Sequence, residues 1–73
     1  MSEVEMDLKG LECPEPTLKI GVKAEELEEG DTIIAHADCD TFESDVNDWC
    51  DRQGATLVSL TEEDGVMTAE IQL

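Results

Sequence analysis

The chain has 73 residues, of which 20 are acidic and four are basic, so its formal net charge is −16. A chain this short predicts a single domain (residues 1–73) with a thin core and no large enclosed substrate cavity. So strong a negative charge opposes direct binding to nucleic acid and to anionic membrane surfaces. The acidity predicts either halophilic adaptation to a high-salt cytoplasm, which we favour because lysine is scarce, or a basic partner surface.

The first part of the chain predicts a strand followed by a helix. Apolar and acidic residues alternate over residues 3–8, as in a strand with one buried face. Gly10 then breaks the strand, and a helix is expected over about 17–28. Pro16 suits the first turn of this helix, and Gly30 suits its end.

The rest of the chain predicts a strand, a helix and a hairpin. Residues 32–37 are apolar and β-branched enough for a buried strand, and the apolar spacing over about 41–52 predicts the second helix. Residues 55–60 and 66–73 are expected to form two strands joined by a turn over 61–65. Because two helices cannot cover both faces of so short a sheet, we expect an α+β fold. This βαβαββ two-layer sandwich has a mixed four-stranded sheet with both helices on one face.

The first predicted helix carries two apolar stripes. Ile20, Ala24 and Leu27 form one stripe, which is typical of a core face. Leu18 and Val22 lie on a different side of the helix. They either pack on the second helix or form an exposed patch beside Cys13 that suits a docking partner.

Cys13 is the candidate catalytic residue because it precedes a helix, whose free N–H groups and dipole favour a thiolate. Pro14 keeps Cys13 extended, and Pro16 fixes the direction in which the chain enters the helix. Glu15 opposes ionisation of the thiol, whereas Lys19 is close enough in sequence to offset this effect. The alternative is that Cys13 is a small buried apolar residue.

The other chemically active side chains give weaker signals. With three cysteines and no CxxC pair, we expect neither a disulfide framework nor a metal site, and a reducing compartment fits best. Cys50 lies on the apolar stripe of the second helix and is expected in the core, whereas Cys39 either fills a loop or serves as a second sulfur site or a resolving thiol. His36 is expected to be structural. An acidic N-terminus without a long apolar run predicts a cytoplasmic protein that does not insert into membranes.

The stretch GLECPEP (residues 10–16) resembles the GLxCPxP signature of the TusA/SirA-like sulfur carriers. The likeness spans nearly the whole chain and includes Asp45, which the resemblance places near the entrance of the first helix. It implies the βαβαββ sandwich, no cofactor, and a persulfide on Cys13 that is handed to another protein. Where the family often has a turn of two acidic residues and a proline, this chain has Cys39 between two aspartates.

The expected function is therefore that of a monomeric sulfur carrier, a non-classical sulfurtransferase. Its donor would be a cysteine desulfurase or a rhodanese-type enzyme. Its acceptor would be a sulfur-relay protein in tRNA thiolation, cofactor biosynthesis or sulfur metabolism. Two alternatives stay open. One is a regulatory or binding module, such as a soluble partner of a membrane sulfur-compound transporter. The other is a thiol redox regulator that uses Cys13 with Cys39.

Overall fold

Six elements follow one another in the predicted order βαβαββ in a computed structural model that describes residues 2–13 and 15–73. Their bounds are β1 (Glu3–Asp7), α1 (Glu15–Glu25), β2 (Thr32–Ala37), α2 (Phe42–Gln53), β3 (Thr56–Glu63) and β4 (Val66–Gln72). Within the described ranges, neither helix is long and apolar enough to cross a membrane.

The four strands form one mixed sheet in the order β1-β2-β4-β3. β1 runs parallel to β2, whereas β4 pairs antiparallel with both β2 and β3. Alternate residues of β2 are buried, and Ile33 packs in one core cluster with Ile20 of α1, Phe42 of α2 and Ile71 of β4. Both helices therefore cover the same face of the sheet, and the predicted α+β sandwich is confirmed.

α1 begins two residues earlier and ends three residues earlier than the sequence predicted. At its start, Glu15 N–H donates to the Glu12 carbonyl at 2.8 Å, so Pro16 is the second helical residue, where a missing N–H costs nothing. At its end, the backbone bond from Glu26 to Lys23 spans only three residues, which tightens and closes the last turn. The helix does not extend to Gly30, where the sequence predicted its end. Gly30 has a φ of +96° and lies directly before Asp31, the residue that precedes β2.

In the β3–β4 hairpin, β3 is longer and the turn is tighter than predicted, whereas β4 ends one residue earlier, at Gln72. β3 continues to Glu63, and only Asp64 and Gly65 form the turn. Both turn residues have positive φ, +53° and +81°, which is the backbone geometry of a two-residue type I′ hairpin. A bulge between Leu57 and Ser59 interrupts the pairing of β3 with β4.

Candidate functional site

The parallel pairing of β1 and β2 brings two loops together at one edge of the sheet. The loop after β1 leads into α1, and the loop after β2 leads into α2. Leu8 N–H donates to the His36 carbonyl at 2.7 Å, and Gly10 N–H donates to the Asp38 carboxylate at 3.0 Å. These bonds hold the loop that carries Cys13 against the loop that carries Cys39.

Cys13 and Cys39 are joined by a disulfide, although they are 26 positions apart in sequence. Their Cα atoms are 5.7 Å apart, within the usual range for bonded cysteines. The expectation of no disulfide framework did not anticipate this bond, although a pairing of Cys13 with Cys39 is one of the alternatives that the sequence leaves open. The number and the local spacing of the cysteines do not predict this bond, because the two residues meet only through the parallel pairing of β1 with β2.

The two sulfurs differ in their access to solvent. Cys13 is half-buried, whereas Cys39 is only 7 % exposed and belongs to the core cluster. The pair lies in an open depression of about 450 Å³, formed by residues 10–13 and 38–41. Glu12, Asp38 and Asp40 line this depression and are exposed, so a partner approaching Cys13 meets negative charge.

Both cysteines stand close to the first residue of a helix. Glu15, the first residue of α1, is two positions after Cys13, and Phe42 N–H at the start of α2 donates to the Cys39 carbonyl at 3.2 Å. The partial positive charge at a helix N-terminus favours an anion close to it, so both helix starts favour a sulfur anion near the pair. Pro16 is fully buried in the first turn of α1, and Pro14 lies outside the described residues.

Asp45 of α2 lies beside the cysteine pair. One of its carboxylate oxygens and the two sulfur atoms all lie within 4.8 Å of one another. Thr41 Oγ1 donates to Asp45 Oδ2 at 3.0 Å, which orients this carboxylate. In a reduced chain, two thiolates and a carboxylate could hold a thiophilic metal, but sulfurs bonded to each other are not available as thiolate ligands.

The other predicted site residues of α1 lie on its solvent side. Glu15 and Lys19 are exposed, and Leu18 and Val22 are 63 % and 62 % exposed. Of the two arrangements left open for Leu18 and Val22, the structure therefore has the exposed patch. Two shallow depressions adjoin this patch, and they share Leu18, Gly21 and Trp49 as lining residues.

Cys50 and His36 have structural positions. Cys50 is 4 % exposed in the core, and burial raises the pKa of its thiol, so it is a poor nucleophile. The His36 ring lies on the sheet face opposite the helices. Its Nδ1 is 2.9 Å from Thr68 Oγ1, and its Nε2 is 3.2 Å from Glu5 Oε2.

Comparison with known proteins shows similarity over nearly the full chain. The family described as "Sulfurtransferase TusA" matches residues 4–73. A Neisseria meningitidis protein named "putative sulfur carrier protein" is 29 % identical over 72 residues, which cover 99 % of this chain and 97 % of that protein. A Bacillus subtilis protein of the same description, YrkI, is 31 % identical over 71 residues, with 97 % and 95 % coverage. A crystal structure of a SirA-like protein from Desulfitobacterium hafniense superposes with a TM-score of 0.84 at 24 % identity, covering 94 % and 95 % of the two chains.

Proposed function

The chain belongs to the TusA family of sulfurtransferases, and on that premise we propose that it accepts sulfane sulfur as a persulfide on Cys13 and passes it to an acceptor protein. The donor is a protein persulfide, on a cysteine desulfurase or a rhodanese-type enzyme. The exchange needs no cofactor, because a thiolate attacks the sulfane sulfur and displaces the donor thiolate.

The position of Cys13 is the observation that carries this proposal. Its sulfur is half-buried beside an open depression, so it can meet a partner's sulfur without an enclosed cavity. The N-termini of α1 and α2 favour the anionic form of the sulfur that attacks or leaves. Cys50 is buried, so Cys13 is the cysteine best placed for transfer between proteins.

The surface around Cys13 suits a protein partner with a basic surface. Glu12, Asp38 and Asp40 are exposed and attract such a surface by their negative charge. Leu18 and Val22 supply apolar contact area on the adjoining face of α1. We assign the chain to the cytoplasm, where reduced thiols allow repeated transfer.

The experiment is intact mass spectrometry of the reduced chain after incubation with inorganic polysulfide. In samples taken directly after loading, the wild-type chain is expected to show the added mass of one sulfur atom, and Cys13→Ser is expected not to show it. Prior reduction is required because the disulfide with Cys39 occupies Cys13. Cys50→Ala is the matched control and should take up sulfur normally, since Cys50 is buried in the core.

The same experiment separates the carrier from a binding module. A module that only binds a partner has no need of an accessible thiol, so it would gain no sulfur in any variant. If folded Cys13→Ser takes up as much sulfur as wild type does, the accepting site is Cys39 and not Cys13. Either result would overturn the assignment of Cys13.

A further inference from the structure

From the pairing of Cys13 with Cys39, we infer that Cys39 is a resolving thiol that discharges the Cys13 persulfide as hydrosulfide. The inference rests on the proposed function, because only a persulfide on Cys13 gives Cys39 sulfur to discharge. It adds a second outcome for the bound sulfur, which is release as an inorganic product when no acceptor protein takes it.

The chemical step is balanced within the chain. The Cys39 thiolate attacks the Sγ atom of Cys13, a bond forms between the two Sγ atoms, and the bond from Cys13 Sγ to the sulfane sulfur breaks. The leaving sulfur departs as hydrosulfide with the electron pair of the broken bond. The sulfane sulfur is thereby reduced and the two cysteines are oxidised to the disulfide, so this step uses no external oxidant. A dithiol reductant then reopens the disulfide and restores the accepting form.

The geometry favours this step because its product is the arrangement seen in the structure. In the bonded pair the Cα atoms of Cys13 and Cys39 are 5.7 Å apart, which is an ordinary separation for a disulfide. The hydrogen bonds from Leu8 to His36 and from Gly10 to Asp38 hold the two loops at this separation. Attack within one preorganised chain is much faster than attack by a dissolved thiol.

Burial of Cys39 distinguishes a resolving thiol from a second carrier site. Its side chain is 7 % exposed, so a donor or acceptor protein has little access to it, whereas Cys13 is its bonded neighbour. A disulfide that forms in a reducing compartment is usually transient and catalytic or redox-sensing. Its 7 % exposure therefore supports a role for Cys39 in discharge and not in docking or relay.

The test follows the fate of a persulfide after loading. Reduced wild-type chain, Cys39→Ser and Cys50→Ala are loaded with inorganic polysulfide without oxygen, freed of excess donor, and followed by intact mass and by a colorimetric assay for hydrosulfide. Wild type and Cys50→Ala should release one hydrosulfide per loaded chain and reach the reduced mass minus two hydrogens. Cys39→Ser should keep its added sulfur at least about tenfold longer.

The outcomes separate this inference from the proposed function. If wild type keeps its persulfide as long as Cys39→Ser does, the inference is overturned and the carrier function stands. If no variant takes up sulfur, the proposed function fails and the inference fails with it. Circular dichroism checks the fold of Cys39→Ser, and hydrosulfide release by wild type is a second readout that does not depend on the folding of that variant.

Discussion

Asp31 is the buried carboxylate that joins the start of the chain to the start of β2. Its two oxygens accept backbone hydrogen bonds from Glu28 at 2.9 Å and Ser2 at 2.8 Å. These bonds, first that from Glu28 and then that from Ser2, hold the pKa of Asp31 below its ordinary value, against the opposing effect of burial. The carboxylate is therefore preferred in the folded chain, and its protonation weakens the fold.

Replacing Asp31 with asparagine should remove a pH-dependent part of the stability. Because the pKa of Asp31 is lower in the folded chain than in the unfolded chain, its carboxylate stabilises the fold above the ordinary aspartate pKa of about 3.9. This stabilisation is lost as the pH falls through the lower pKa of the folded chain. The stability advantage of wild type over Asp31→Asn should therefore be largest at neutral pH and shrink below about pH 4. Thermal unfolding of both chains across pH measures this difference.

Glu62→Gln is the matched control for Asp31→Asn, because Glu62 is an exposed acid on β3. It removes one negative charge without removing backbone hydrogen bonds. If Asp31→Asn and Glu62→Gln are both only slightly and equally less stable than wild type at neutral pH, the role given to Asp31 is contradicted.

The patch of Leu18 and Val22 on α1 makes a prediction about docking. Burying one such side chain against a partner contributes about 1.5–3 kcal/mol. Leu18→Asp or Val22→Asp should therefore slow sulfur transfer from a cysteine desulfurase by roughly 10- to 100-fold when docking is limiting. Loading of Cys13 from polysulfide should be unchanged. Because both side chains are more than 60 % exposed, the variants should fold with a stability loss within about 1 kcal/mol.

Val58→Asp provides the control for the docking variants. Val58 is also an exposed apolar residue, at 51 %, but it lies at the bulge of β3 and not on α1. If all three variants accept sulfur from the desulfurase at the wild-type rate, docking uses another surface. Unfolding of Leu18→Asp and Val22→Asp would instead assign those side chains to the core.

Element order could be predicted from the sequence, but element ends and long-range pairing could not. The spacing of apolar residues reflects which side of an element is buried, so it predicted both helices and a sheet with one buried face. The start of α1 depends on a bond from Glu15 to Glu12, and the hairpin turn depends on positive φ at Asp64 and Gly65. Although the Asp-Gly pair is a known turn signal, the predicted turn extends over residues 61–65 and so includes three residues that belong to β3.

The cysteine pair could be predicted only in part. Cys13 stood out because its position before a helix is a local feature of the sequence. Its pairing with Cys39 depends on β1 and β2 being parallel neighbours, which no local pattern reveals. One signal was present: each cysteine follows a strand and precedes a helix, and the ends of parallel strands meet at one edge of a sheet.

At the scale of the whole molecule, the negative charge extends over a solvated sheet face as well as around the site. Cross-strand register places acidic residues on the face away from the helices, namely Glu3, Glu5, Asp7, Glu63 and Glu70. Three of the four basic residues, Lys19, Lys23 and Arg52, lie on the helices. The described part of this sheet face therefore has no lysine or arginine to offset its acids.

The net charge predicts that stability rises steeply with salt. The radius of gyration is 10.9 Å, whereas the Debye length is about 30 Å at 0.01 M salt and about 3 Å at 1 M. At low salt the acidic residues therefore repel one another across the whole molecule, and at 1 M only close neighbours interact. If screening recovers a few kcal/mol of unfolding free energy, Tm should rise by on the order of 10 °C. Thermal unfolding from 0.01 M to multimolar potassium chloride measures this rise.

A variant with fewer acids separates charge screening from general effects of concentrated salt. Glu3→Gln, Glu62→Gln and Glu63→Gln together remove three exposed charges and leave the core and the cysteine pair unchanged. Because repulsion grows faster than linearly with net charge, the triple variant should have a higher Tm at low salt and a smaller rise with potassium chloride. A Tm that does not depend on salt in wild type would remove the halophilic interpretation. The acids would then be assigned to attraction of a basic donor or acceptor toward Cys13.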